Sequence, residues 1–359
     1  MINLGRRKFL TIGAGALAAR ATAAESGGGA GAGLALGFDH YAIRAMDWGP
    51  AALVGFAEKL EVDTLFITDL DVFESLEADA LATVRRLAEE KQLRLLLGTW
   101  SICPSSVTFK NRWGTADEHL QLGIRAAKSL GSPVLRVVLG SARDRLTDGG
   151  IEARIEDTVK VLRRNKQQAV DAGVKIAVEN HAGDMHSLEL KSLVEAAGRD
   201  FVGVNLDAGN ALWSLETPLE NLENLGEYVL TTSLRDSAVW ETEKGIAVQW
   251  TAMGEGMVDW KTYFARFAEL CPEVAVNIET ISGVSREFQV DTPEFMKAWP
   301  KGLPASYEKL RSWAKTGKPQ QPAKPRPGQD KKKSDQEYQL SEIERSIAYC
   351  KSIGLGRKA

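Results

Sequence analysis

Three carboxylates stand at the ends of short apolar runs, and they are the first chemical signal in the chain. Glu179 ends one run in Val178-Glu179-Asn180-His181, Asp207 another in Asn205-Leu206-Asp207, and Glu279 a third in Asn277-Ile278-Glu279. Buried carboxylates at close range repel one another unless a cation or protons compensate them. Brought together, the three would hold a divalent metal through oxygen, the donor type that suits Mg²⁺ or Mn²⁺, or would give and take protons. Kept apart, they would be structural caps on neighbouring loops. His181 lies two residues beyond Glu179 and shares its strand face, as Arg235 shares one with Ser233 in Ser233-Leu234-Arg235-Asp236.

Whether these groups meet depends on the elements that carry them. From residue 34 onward β-type runs alternate with helical ones. Strands are expected at 34–38, 64–68, 93–98, 134–139, 175–180, 202–207, 228–234 and 274–280. Helical patterns fall between them, at 51–60, 78–91, 116–130, 151–172, 188–197, 219–225 and, after a long loop, 260–270. Many of the strand runs are apolar throughout, as strands covered on both faces are. Eight βα repeats in about 250 residues point to a (β/α)8 TIM barrel. The alternative, a doubly wound open sheet, is weakened because no G-x-G-x-x-G follows the first strand.

In a barrel the C-terminal ends of the strands face one rim, so Glu179, Asp207 and Glu279 should converge there. The same rim would receive His40 after the first strand and Trp100 in the loop after the third. Trp100 is a stacking surface at the rim or a core aromatic. Arg235 would contact substrate oxygens or pair with a carboxylate. Cys103 has no evident base beside it, Glu255 reads as a loop-structuring residue, and His119 and His186 read as structural. Trp213, Trp240 and Trp250 receive no assignment.

Composition narrows the function. The chain is 44% hydrophobic and 26% charged, as globular proteins are. It has no run of about 20 apolar residues, which rules out a multi-span membrane protein. A net charge of -3 argues against nucleic acid as a partner. Cys103, Cys271 and Cys350 are too few and too scattered for a disulfide scaffold or a cysteine zinc site. Residues 1–23 read as a twin-arginine signal peptide: Arg6-Arg7 with Phe9-Leu10, a weakly apolar run, then the small-residue cleavage pattern Ala21-Thr22-Ala23. That layout predicts export to the periplasm, with no stable membrane insertion once the signal is removed. The expected order continues with a flexible lead-in at 24–33, the barrel at 34–314 and a Lys/Pro-rich linker at 315–336. A C-terminal helix at 337–359 closes the chain, with Leu340, Ile343, Ile347 and Cys350 at helical spacing to pack back on the barrel.

Taken in order, the motifs around Glu179, Asp207, Arg235, Gly254-Glu255-Gly256 with Asp259-Trp260, and Glu279 resemble those of the xylose-isomerase-like barrel superfamily. This is the superfamily of sugar phosphate isomerases and epimerases, and the resemblance covers roughly residues 34–300. Each motif is short; their order on successive strands makes the set specific. The resemblance implies one divalent metal bound by glutamate, aspartate, histidine and glutamate. Glu179, Asp207 and Glu279 would fill three of those places, while Ser233 stands where the family has histidine. Asn210 stands where many relatives have another. Loss of imidazole shifts the expected ion toward Mn²⁺ or Mg²⁺, and the two missing histidines argue against the family's multi-zinc endonuclease branch. The implied reaction is proton transfer next to a carbonyl through a metal-stabilised enediolate. Glu179 and Glu279 would be the proton-transfer pair, His181 an acid or an orienting group, and His40, Trp100, Asn210 and Arg235 substrate contacts.

Three functions stay open. The first is an exported sugar isomerase or epimerase. The second is a lyase using the same enolate chemistry on oxidised (keto) glycosides. The third is a non-catalytic carbohydrate-binding barrel that lost its metal. A small-molecule carbohydrate is the partner in each, and a homo-oligomer is left open.

Overall fold

Eleven strands are found in a computed structural model that describes residues 33–281, 283–322 and 328–357. The export signal at 1–23, and all but the last residue of the lead-in at 24–33, lie outside the described residues. In chain order the strands are β1 (Leu36–Asp39), β2 (Thr64–Ile67), β3 (Arg94–Ser101), β4 (Val134–Val138), β5 (Lys175–Glu179), β6 (Val202–Leu206), β7 (Val229–Thr232), β8 (Asp236–Thr242), β9 (Gly245–Thr251), β10 (Val276–Ile278) and β11 (Ser285–Phe288).

Strands β1 to β7 and β10 pair in parallel in the order β10-β1-β2-β3-β4-β5-β6-β7. The ring closes just past β7, where Leu234 bridges Ile278. There the Leu234 N–H donates to Asn277 O at 2.8 Å and the Glu279 N–H to Leu234 O at 2.8 Å. Helices between successive strands cover the outside, so the molecule is a (β/α)8 TIM barrel. Local sequence explains the helix ends: Ala116–Leu130 begins at a Thr115/Glu118 capping box and stops at Gly131, whose left-handed φ of 79° suits glycine. Near the barrel floor Thr64 Oγ1 donates to Asn277 Oδ1 at 2.6 Å. Gly37 leaves room for that bond, since a Cβ there would lie 1.9 Å from Thr64 Oγ1.

Two features depart from expectation. The long loop foreseen after the seventh strand is a β8–β9 hairpin, and β11 joins it in a three-stranded antiparallel sheet ordered β11-β9-β8. This accessory sheet has its own apolar cluster, with Leu212, Val239, Ile246, Val248, Trp250, Phe288 and Leu310 buried together. In β9 the apolar Ile246, Val248 and Trp250 alternate with Ala247 and Gln249, a less apolar run than those of the barrel strands. The C-terminal helix also starts earlier, running Lys331–Ser352 from an Asp330 cap that accepts from the Lys333 N–H. Its first turns are too polar to show hydrophobic periodicity. Ile343, Ile347 and Cys350 join the main core, and the helix lies against β1 and β10 as an outer barrel helix.

Candidate active site

The rim collects four carboxylates, one more than expected. Asp39 at the end of β1, Glu179 at the end of β5, and Asp207 and Glu279 just past β6 and β10 are all buried. Two buried arginines compensate them. Arg136, in the middle of β4, donates from Nε to Glu179 Oε2 at 2.5 Å and from Nη1 to Thr99 O at 3.0 Å. Arg235 donates from a single nitrogen, Nη2, to both Asp207 Oδ2 and Glu279 Oε2. Strand order explains the bridge: β7 lies between β6 and β10 in the closed ring, so a residue following β7 reaches both neighbours.

Amides and hydroxyls fill the remaining spaces. Asn205 Nδ2 donates to Glu179 Oε2 at 2.8 Å and to Ser233 Oγ at 3.2 Å. Ser233 Oγ in turn donates to Asp39 Oδ2 at 3.3 Å. Asn210 Nδ2 donates to Asp207 Oδ2 at 2.6 Å and Glu179 Oε1 at 3.3 Å. Asn180 is clamped to the Asp207 backbone through both ends of its amide.

This environment sets the protonation of the cluster. Burial pushes Asp207 up to about 7, with Arg235 pulling down and Glu179 pushing up. Burial also drives Glu279 well above the carboxylate range; Arg235 opposes that, while Asp39, Glu179 and Asp207 add to it. Asp39 goes the other way. Burial works against its charge, but His40, the Thr68 hydroxyl and the Tyr41 N–H outweigh it and hold the carboxyl low.

The expected site residues divide into two groups. Glu179, Asp207, Glu279, Ser233, Asn210 and Arg235 are joined in one hydrogen-bonded cluster. Within it, Asn210, expected at the substrate, holds carboxylates, and Arg235 makes the carboxylate pairing expected as the alternative to a substrate contact. The other group lies around the cluster. His181 and Trp100 are half-buried and meet edge to face at 5.3 Å. His181 Nδ1 lies 2.6 Å from Gly140 O; a carbonyl only accepts, so Nδ1 carries the proton and Nε2 the lone pair. Burial lowers the basicity of this ring. Trp100 Nε1 donates to Thr108 O at 3.0 Å, which orients the indole. His40 accepts the Thr68 N–H through Nδ1 at 3.1 Å and flanks Asp39. It also lines a separate cleft of about 250 Å³ with Tyr41, Arg44, Trp48 and Asp71.

Sequence reasoning missed Asp39, Arg136 and Asn205. A signal existed for two of them. Asp39 ends its strand as the other three carboxylates end or follow theirs. Arg136 interrupts the apolar run Val134-Leu135-Arg136-Val137-Val138, and a charge buried in a two-sided strand demands a partner.

The residues present do not offer a divalent ion its ligands. Asp207 and Glu279 share the Arg235 guanidinium, Glu179 is held by Arg136 and Asn205, and the Ser233 hydroxyl is engaged with Asp39. Among the described residues no group of three or more His, Cys, Asp or Glu is arranged to hold a metal.

The loop carrying His181 is pinned at both ends by buried carboxyls. Asp184 accepts from the N–H groups of Gly140, His181 and Met185 at 3.1, 2.9 and 2.6 Å. Glu216 accepts from Ser187 N, Ser187 Oγ and Asn221 Nδ2 at 2.8, 2.5 and 3.0 Å. Burial pushes Asp184 up to about 8 and Glu216 to about 7. Each binds a proton more tightly folded than unfolded. Their contribution is therefore full below the ordinary carboxylate range and is lost as pH rises through about 7 to 8. Glu216→Gln keeps the acceptor for Ser187 N and replaces the charge. It should leave the melting temperature at pH 5.5 close to wild type and raise it by a few degrees at pH 8.5. Equal shifts at both pH values, measured by calorimetry, would show that Glu216 is not the titrating group.

A closed parallel barrel that pools its acidic strand ends on one rim is the architecture of α/β-barrel enzymes. The chain belongs to the xylose isomerase-like TIM barrel family, whose model matches residues 54–312. It is 23% identical over 237 residues to the 3-oxo-isoapionate decarboxylase of Pectobacterium atrosepticum, covering 63% of this chain and 78% of that one. Its fold is similar to that of a D-psicose 3-epimerase solved in the presence of D-fructose. That likeness has a TM-score of 0.58 and 14% identity, and covers 90% of this chain and 100% of the epimerase. It is also similar to the IolI protein solved with a bound zinc atom, with a TM-score of 0.54 and 17% identity over 78% of this chain and 95% of that one.

Proposed function

We propose that this chain is an exported enzyme that moves a proton on the carbon next to a carbonyl of a carbohydrate, as an isomerase or epimerase. The observation that carries this reading is the pooling of four carboxylates and two guanidiniums from six strands at one rim. Such a cluster holds both halves of the chemistry. A carboxylate takes the proton from the carbon beside the carbonyl. The electron pair moves into the carbonyl oxygen, and guanidinium N–H groups stabilise the enediolate charge that forms. A protonated carboxyl then returns a proton, to the neighbouring carbon in an isomerisation or to the opposite face in an epimerisation. Glu179 and Glu279 are assigned these roles, with His181 Nε2 beside them to exchange protons with a substrate hydroxyl and Trp100 as the surface for the sugar ring. The buried amide oxygens of Asn205 and Asn210 have no protein partner, and sugar hydroxyls would satisfy them.

The named relatives support the substrate class: one is a 3-oxo-isoapionate decarboxylase and another a D-psicose 3-epimerase. A divalent ion would polarise the same carbonyl, but at Glu179, Asp207 and Glu279 it would require Arg235 to leave. The test is incubation in D₂O with a panel of ketoses, 3-keto-glycosides and 3-oxo sugar acids, followed by NMR. Deuterium entering next to the carbonyl, with a new isomer or epimer, is the expected result. Release of an aglycone would favour the lyase. Binding of a sugar by calorimetry with no exchange on any of the panel would overturn catalysis. The twin-arginine reading predicts a periplasmic protein whose N-terminus begins near Ala24; cytoplasmic protein retaining residues 1–23 would refute it.

A further inference from the structure

We infer that Arg235 is a built-in cation that takes the place of the divalent ion, so that this barrel assembles its acidic rim without bound metal. One guanidinium nitrogen bridges Asp207 and Glu279, two of the three carboxylates expected to be metal ligands. The side chain is 1% exposed, and its path is shaped for it. A Cβ at position 209 would lie 2.4 Å from Arg235 Cγ and 2.6 Å from Cδ, so glycine at 209 is what lets the stem pass.

The guanidinium face is covered by the Trp250 indole, 4.4 Å from the ring centroid. Trp250 stacks on Trp213 at 4.5 Å with 13° between the planes and donates from Nε1 to Gly209 O at 3.3 Å. Arg286 also lies over the Trp213 ring, 4.8 Å from its centroid. A cation between two carboxylates and under an indole is held by charge and by cation–π attraction together. The accessory sheet thereby acquires a role, because β9 supplies Trp250 and β11 supplies Arg286. The absence of the ligand histidine, and of the second histidine that many relatives carry, fits this reading. Ser233 and Asn210, both short and neutral, stand where imidazoles would compete with the guanidinium for the carboxylates.

Metal content is independent of which carbohydrate the protein turns over, so it tests this inference separately from the proposed reaction. The full chain, purified without chelator, would be assayed by elemental analysis and titrated with Mn²⁺, with free ion followed by electron paramagnetic resonance. Wild type should carry no stoichiometric divalent ion and take up none at the cluster. Arg235→Ser combined with Ser233→His should gain one Mn²⁺ per chain, binding at least tenfold more tightly than wild type. A wild-type ion at one per chain that is lost in Glu279→Gln would overturn the inference. A folded double variant that still takes up no Mn²⁺ would also overturn it, since the carboxylates would then not be a latent metal set. If the double variant fails to fold, by circular dichroism, the wild-type measurement alone decides.

Discussion

Arg136→Met should destabilise the barrel by about 3–5 kcal/mol, the cost of leaving a buried charge without its partner. The strand around Arg136 is apolar on both sides, and its guanidinium is spent on Glu179 at 2.5 Å and on Thr99 O. Methionine replaces the stem without a large void, so the loss falls on Glu179. That carboxylate keeps only the amides of Asn205 and Asn210, and these dipoles do not neutralise it. The site is built around the arginine, since a Cβ at Gly98 would come within 3.2 Å of the Arg136 stem. Adding Glu179→Gln should restore most of the stability, because replacing both partners removes the stranded charge. Urea unfolding of the two single variants and the double gives the coupling energy. A loss below about 1 kcal/mol for Arg136→Met would mean the pair behaves like a surface ion pair and that burial is not what makes it matter.

The largest effect on activity is expected at Glu279. Glu279→Gln should slow deuterium entry next to the substrate carbonyl by about 10²–10⁴, the usual contribution of a positioned acid or base, while shifting the melting temperature by only a few degrees. The amide retains an oxygen for Arg235, so the Arg235 bridge survives, but the exchangeable carboxyl proton is gone. Burial and three neighbouring carboxylates push Glu279 up against the pull of Arg235, the direction that favours a proton donor. Glu255→Gln serves as a control, since Glu255 lies on an exposed loop and pairs with Arg345; its rate should match wild type. Less than a tenfold loss in Glu279→Gln would remove Glu279 from the proton-transfer pair.

The barrel could be read from the chain because strands covered on both faces are written as continuous apolar runs, and the polar residue that ends each run marks the rim. Glu179, Asp207 and Glu279 were legible for that reason. Asp39 follows the same grammar, whereas Arg136 breaks an apolar run from within. The β8–β9–β11 sheet was harder to read because its strands mix polar residues such as Gln249 and Ser237 with apolar ones even where they are buried.

By itself, then, the sequence determined the eight parallel strands, the rim to which the acids belong, and the absence of histidine at positions 210 and 233. Only the tertiary structure decided what compensates those acids. The partners of Asp207 and Glu279 depend on which strands become neighbours when the ring closes. Arg235, Gly209, Trp250 and Trp213 form one column only after the accessory sheet folds beside β7. Periodicity places a residue on a face, but which opposite charge it meets there is set by contacts between elements distant in the chain.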